Sequence, residues 1–259
     1  MSIYQHFRKH EHPFVDQVLS WKEQVMRTYV PYQSDYLDPR DQQIVKSIIG
    51  TTNEDVQFAF FGGSDETERK RAIIAPFYEE ITDDYFDVVL LEATFESKFI
   101  TLQHRDILGA FISLGIDRKK IGDIYVAEDR FQFFIASELS TFVKMNLTKI
   151  KNATIKLNEQ PLTALIDSQD EWMHKQHSVS SLRLDVIVKE VYQMSRNKAV
   201  QLIKANRVKV NFTQIDDPAI PIILNDLISV RGFGRSKVVE LHGKSRKDKY
   251  RITSARLKA

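Results

Sequence analysis

Residues 180–241 constrain the fold of this chain more than any other stretch: SSLRLDVIVKEVYQMSRNKAVQLIKANRVKVNFTQIDDPAIPIILNDLISVRGFGRSKVVEL. Leu184, Ile187, Val188 and Val191 recur at 3–4 spacing, which predicts a helix with one buried stripe. Asp185 falls in its first turn, at the positive end of the helix dipole. Ser195 is a fitting N-cap for a second helix that turns Ala199, Leu202 and Ile203 inward. Asn206 follows where a helix exit calls for a left-handed residue. Residues 207–211 then alternate, with Val208 and Val210 inward and Arg207, Lys209 and Asn211 outward. A proline-bounded segment (218–224), a turn at Asn225-Asp226 and a strand around Ile228 and Val230 continue a tight meander. Arg231-Gly232-Phe233-Gly234-Arg235 makes a glycine-flexed loop carrying two guanidinium groups, and Tyr250 and Ile252 mark a last strand. The spacing leaves Arg196, Lys204, Arg207 and Lys209 free to share one surface.

Charge follows this organisation. Residues 181–259 hold 17 Lys+Arg against 7 Asp+Glu, a balance of +10 in a chain whose net charge is +2. Residues 1–180 are therefore net acidic, at −8. Basic residues inside a folded pattern point to a polyanionic partner, whereas a merely solubilising tail would sit in a low-complexity run. Lys244, Arg246, Lys247, Lys249 and Arg251 extend the basic character beyond the meander.

The rest of the chain gives a coarser reading. Residues 1–80 are expected to form an N-terminal α/β unit. His12-Pro13 and Asp38-Pro39 open its two helices, Gly50 stops the second, and 56–61 and 72–75 are strands. Residues 81–160 follow a β-α-β-β-α-β order: strands at 88–95, 124–127, 131–136 and 153–157, helices at 104–114 and 137–147. That is the split-βαβ, ferredoxin-like arrangement. Residues 161–180 read as a connector with one packed piece around Trp172, and 181–259 as the basic domain. The fold class is α+β.

Several chemistries are excluded or disfavoured. With no cysteines, disulfides, thiolate zinc sites and cysteine nucleophiles are impossible. Gly62-Gly63 precedes Ser64-Asp65-Glu66 rather than Lys-Ser/Thr, so it reads as a sharp turn and not a phosphate loop. His6, His10 and His12 lie near a polar terminus and read as solvated; no metal or cofactor is expected. No apolar run is long enough to cross a bilayer, and MSIYQHFRKHEHPF lacks the pattern of a secretory signal. The expectation is a cytoplasmic protein that does not contact membranes. Phe131 and Phe133 alternate as stacking aromatics would on an RNA-recognition sheet, but they equally make a core face, which is the reading preferred here. Arg118, Lys119, Lys120, Lys144, Lys149 and Lys151 form a secondary set of backbone-contact candidates.

R-L-D, S-R-x-x-A-x-x-L-I, V-x-V-N and D-x-I-x-V-R-G, in that order and spacing, resemble the RNA-binding domain first known from small-subunit ribosomal protein four. Carried over onto this sequence, the resemblance implies that Arg183, Ser195, Arg196, Lys198, Lys204, Arg207, Lys209 and Asn211 line an RNA surface, to which the loop adds Arg231 and Arg235. Asn206 and Phe212 stand where that family commonly has glycine. With FAFFGGSDETERKRAIIAP and LQHRDILGAFISLGIDRKKIGDIYV, the chain resembles the bacterial YlmH family over nearly its full length. That resemblance implies a monomeric, non-enzymatic factor binding rRNA and tRNA on the large ribosomal subunit, holding a stalled peptidyl-tRNA complex during ribosome-associated quality control. The family's gene neighbourhood leaves a cell-division interaction role as one alternative. An RNA-modification enzyme is the other, since Arg183-Leu184-Asp185 superficially matches the catalytic aspartate motif of pseudouridine synthases, although no synthase-sized domain or glycine-rich cofactor turn accompanies it.

Overall fold

The structure, a computed structural model, describes residues 3–7, 9–50, 55–95, 100–166, 172–245 and 248–257. Arg246, Lys247 and the side chain of His10 lie outside them. The chain divides into two compact units, Met1–Ser168 and Gln169–Ala259, so residues 1–80 and 81–160 pack as one body.

In the first unit, helix α1 (His12–Thr28), strand β1 (Tyr32–Leu37), helix α2 (Pro39–Ile49) and strands β2 (Val56–Phe61) and β3 (Lys70–Pro76) make an antiparallel sheet ordered β1-β3-β2. Asp38 caps α2, accepting from the backbone N–H of Arg40 and Asp41, and Gly50 exits at φ 79°. The apolar stripes of both helices, Val15, Val18 and Val25 with Ile44, Val45 and Ile48, meet on this sheet. Strand β1 is an element that hydrophobic periodicity does not announce, because the polar Ser34 is among its buried residues.

The second half of this unit runs β4 (Val88–Thr94), α3 (His104–Ser113), β5 (Ile121–Val126), β6 (Arg130–Ala136), α4 (Ser137–Asn146), a two-stranded pair β7 (Lys149–Ile150) and β8 (Ala153–Thr154), and β9 (Leu157–Gln160). The four-stranded sheet is ordered β5-β6-β4-β9, all antiparallel. This is the ferredoxin-like order, with the first strand central and the fourth outside it. Two details differ from expectation. The fourth strand is Leu157–Gln160, since Ala153–Thr154 pairs back on Lys149–Ile150; and α4 ends at Asn146, one residue short of the expected bound. Phe131 and Phe133 are fully buried and stacked on each other, with Phe95 against Phe131 and Phe111 against Phe133, which makes them core.

Gly62-Gly63 has a packing role. A Cβ on Gly63, which sits at φ 105°, would overlap the Phe134 ring, and one on Gly62 would overlap the Thr67 hydroxyl and the Arg69 carbonyl. Gly122 lies equally close to Tyr36 and Phe134, so the two sheets of this unit approach through glycine-sized gaps at Gly63 and Gly122.

The second unit contains β10 (Trp172–Val179), α5 (Leu184–Val191), α6 (Arg196–Lys204), β11 (Val208–Val210), β12 (Thr213–Gln214), β13 (Leu227–Val230), β14 (Gly234–Lys244) and β15 (Tyr250–Leu257). Its six-stranded sheet is ordered β10-β15-β14-β13-β11-β12. The stretch 161–180 is therefore more than a connector, because Trp172 to Val179 pair along their full length with Leu257 to Tyr250. Both helices cover one face, where Leu184, Ile187, Ala199 and Leu202 pack on Val208, Val210, Ile228, Val230 and Ile252. Asn206 adopts φ 55°, as a helix exit requires; Asn211 and Phe212, at φ 48° and 67°, form the two-residue turn joining β11 to β12.

Among the described residues no helix is long and apolar enough to cross a membrane. Nor does any group of three or more His, Asp or Glu among them sit where it could hold a metal ion.

Candidate nucleic-acid interface

The buried carboxylate of Asp185 organises the helical face of the second unit. Asp185 is 1% exposed, one residue into α5. Arg183, at the N-cap position of α5, donates from Nε to Oδ1 at 3.0 Å and from Nη2 to Oδ2 at 3.3 Å. Arg196, the first residue of α6, donates from Nε to Oδ2 at 2.9 Å, and its Nη2 lies 2.8 Å from the same oxygen. Burial works to raise the Asp185 carboxyl, but the hydrogen bonds from Arg183 and Arg196 outweigh it and hold the group below the ordinary carboxylate range. The two arginine side chains remain 43% and 56% exposed. One desolvated anion thus aims two guanidinium groups from the N-termini of adjacent helices at solvent, each with donors to spare for a phosphate or a base edge. Asp185 does more than complement the helix dipole.

The other predicted residues divide among different surfaces. Lys204 is exposed on α6, about 80° around the helix from Arg196, whereas Lys198 lies roughly 160° from Arg196, on the opposite flank. Ser195 is exposed, but its Oγ is engaged in capping α6, accepting from Lys198 N–H at 3.2 Å. Arg207 and Arg231 are both exposed at one end of the sheet, where the Arg231 N–H donates to the Arg207 carbonyl.

Lys209 does not share the helical surface as expected. Val208 and Val210 face the helices, so Lys209 points from the opposite face of the sheet. There it aligns through Ser229 with Arg235. Asn211 is committed to structure: its Nδ2 donates to Asp226 at 2.6 Å, and its Oδ1 accepts from the Leu227 N–H at 2.9 Å.

Most of the secondary set in the first unit is already engaged. Lys120 lies between Asp35 and Glu138 at 2.8 and 3.0 Å, Lys144 pairs with Glu159 and Lys151 with Asp106. Arg118 donates to the Ile121 and Gly122 carbonyls. Lys119 and Lys149 have no ion pair among those described. Lys119 and Lys120 border a cleft of about 350 Å³ that Trp21, Tyr32 and Asp41 also line. Burial, then the nearby charge of Asp38, pushes the Asp41 carboxyl up to about 6.

Residues 82–164 match a family model described as "Putative RNA-binding domain in YlmH", and residues 182–228 match the S4 domain. The fold and the arginine-bearing helix pair thus define an S4-domain protein with a second, ferredoxin-like module ahead of it. The chain is 38% identical over 256 residues to "Ribosome-associated protein quality control protein P2" of Bacillus subtilis, covering 99% of both chains. It also resembles the solved structure of "Cell division protein ylmH from Streptococcus pneumoniae", with TM-score 0.55, 32% identity, and coverage of 64% of this chain and all of that one. This chain belongs to the YlmH family.

Proposed function

We propose that this protein is a non-enzymatic, cytoplasmic RNA-binding factor that sits on the large ribosomal subunit and engages rRNA and tRNA in complexes stalled with a nascent chain. The observation that carries the reading is the Asp185 clamp, which presents Arg183 and Arg196 as a fixed pair, with Lys204 exposed at the far end of α6. Lysine and arginine give sequence-independent affinity through counterion release, while a fixed spacing of guanidinium groups selects a folded RNA by its shape. The name of the Bacillus subtilis relative supports the ribosomal setting. The burial of Asp185 favours a positioning role over modification chemistry.

Charge reversal at Arg196 and Lys204 tests the site: Arg196→Glu with Lys204→Glu is expected to release the full-length protein from large subunits during sedimentation. Co-sedimentation equal to wild type would remove these residues from the interface. The name of the Streptococcus pneumoniae relative favours a second reading, an interaction protein of cell division. Septal localisation persisting in the double variant, with no ribosome association in the wild type, would support it instead.

A further inference from the structure

The sheet face turned away from α5 and α6 has a composition that the helical site does not use. Register places Lys209, Ser229 and Arg235 side by side on adjacent strands. One strand further, Ser236 faces Arg256 and Trp172 faces Leu257, so the same row continues from Arg235 through Leu257 to Trp172. Adjacent strands are about 4.8 Å apart, which makes this row roughly 19 Å long. It carries two ring–cation pairs: the Arg235 guanidinium lies 6.0 Å from the centroid of Phe212, and Lys237 Nζ lies 4.7 Å over Trp172. Both rings are half-buried, and neither belongs to the hydrophobic core of the unit.

Phe212 is the second residue of the β11–β12 turn, which sets its φ of 67° and leaves its ring half-buried beside Arg235. Among the described residues of β14, the first acidic side chain past Lys237 is Glu240, which is engaged by Thr253 and His242.

We propose that this outer sheet face is a second RNA-contact surface, in which Phe212 and Trp172 stack on unpaired bases and Lys209, Arg235 and Lys237 hold the intervening phosphates. Aromatic platforms interleaved with cations bind single strands because every base has a π-face, whereas a duplex keeps its bases stacked on one another. Resting on the RNA-binding reading above, the proposal assigns the helical face to folded RNA and this face to an adjoining unpaired segment.

Full-length protein is titrated with a fluorescent U-rich single strand and with a duplex of equal length. Trp172→Ala with Phe212→Ala is expected to weaken single-strand binding roughly thirtyfold or more and duplex binding less than twofold. Trp172→Phe with Phe212→Tyr keeps both rings and is expected to bind like wild type. Arg183→Glu with Arg196→Glu probes the helical face separately, so its failure would count against that face and not this one. Single-strand affinity unchanged in the alanine variant overturns the proposal. So does reduced ribosome binding with unchanged RNA affinity, which would mean that a protein docks here. If near-UV circular dichroism shows that the alanine variant misfolds, 4-thiouridine crosslinking of the wild-type protein decides: adducts at Trp172 or Phe212 support the proposal, and adducts confined to the helical face refute it.

Discussion

Replacing Asp185 by Asn would keep the shape of the side chain while removing its charge. The carboxylate accepts from both arginines at 2.8–3.3 Å in a site with almost no solvent. An asparagine oxygen can serve one guanidinium, but its NH₂ group would then face the donors of the other. A charge-assisted hydrogen bond contributes about 1.5–3 kcal/mol, and the half-exposed arginines place the loss at the lower end, about 1–2 kcal/mol of stability. Binding should change in two opposite ways. The surface gains one net positive charge, so affinity for an unstructured polyanion such as poly-U rises slightly and its salt dependence steepens. Meanwhile two side chains lose their fixed orientation, and ordering them again at the interface costs about 0.5–1.5 kcal/mol each. Affinity for the large subunit should therefore fall by roughly 5- to 100-fold, so the ratio of specific to non-specific affinity drops although the protein becomes more basic. Sedimentation with subunits and anisotropy with poly-U, each at two salt concentrations, measure that ratio. An unchanged or higher ratio in Asp185→Asn would refute the view that Asp185 pre-organises the arginine pair. Because its carboxyl is held below the ordinary range, the clamp's contribution to stability is present above about pH 4 and is lost only as pH falls through the depressed value.

Three further substitutions separate structural from binding roles. Gly63→Ala drives a Cβ into the Phe134 ring at a left-handed φ; it should destabilise the first unit by about 3 kcal/mol, and an unchanged melting temperature would contradict the close packing. Asn211→Ala leaves the Leu227 N–H and the buried Asp226 short of a partner. It should cost about 2 kcal/mol with RNA affinity intact, and weaker RNA binding at unaltered stability would return Asn211 to the interface. Asp41 binds its proton more tightly in the folded state, up to about 6, so its contribution to stability declines as pH rises from about 4 to 6. Asp41→Asn should flatten that slope and stabilise the protein at pH 7 by at most about 3 kcal/mol, less where solvent reaches the cleft; denaturant titrations at pH 4 and pH 7 check the sign.

Elements with a one-sided apolar stripe were legible in the sequence. The stripes of α1, α2, α5 and α6 and their capping residues Asp38 and Ser195 mark their places locally, and the ferredoxin-like order follows from alternation of period. Two of the strands the sequence did not announce share a cause. Trp172–Val179 reads WMHKQHSV and Tyr32–Leu37 reads YQSDYL; each lies at a sheet edge, and polar residues interrupt the apolar alternation that would mark it. The site divides in the same way. Arg196 and Lys204 could be placed by helical spacing alone, and Lys209 by alternation, but which side of the sheet the helices cover is a tertiary fact that sends Lys209 elsewhere. The roles of Asp185 and Asn211 were hidden because their partners are distant in sequence: Arg196 belongs to another helix, and Asp226 is reached only when the meander closes.

The pairing of β10 with β15 bears on how the protein is made. During synthesis β10 emerges before α5 and α6, yet its partner is the final described strand, so Val179 waits for Tyr250 and Trp172 for Leu257. The arginine clamp is built from residues close in sequence, whereas the sheet behind it closes only once Tyr250–Leu257 have been made, at the entropic cost of a long loop. A nascent chain of this protein would thus acquire its basic helical face before its outer sheet face was complete. Until β15 arrives, β14 is an open edge ready to pair with another chain. A chain truncated after residue 245, which keeps β14 but lacks its partner β15, should therefore aggregate more than the full chain.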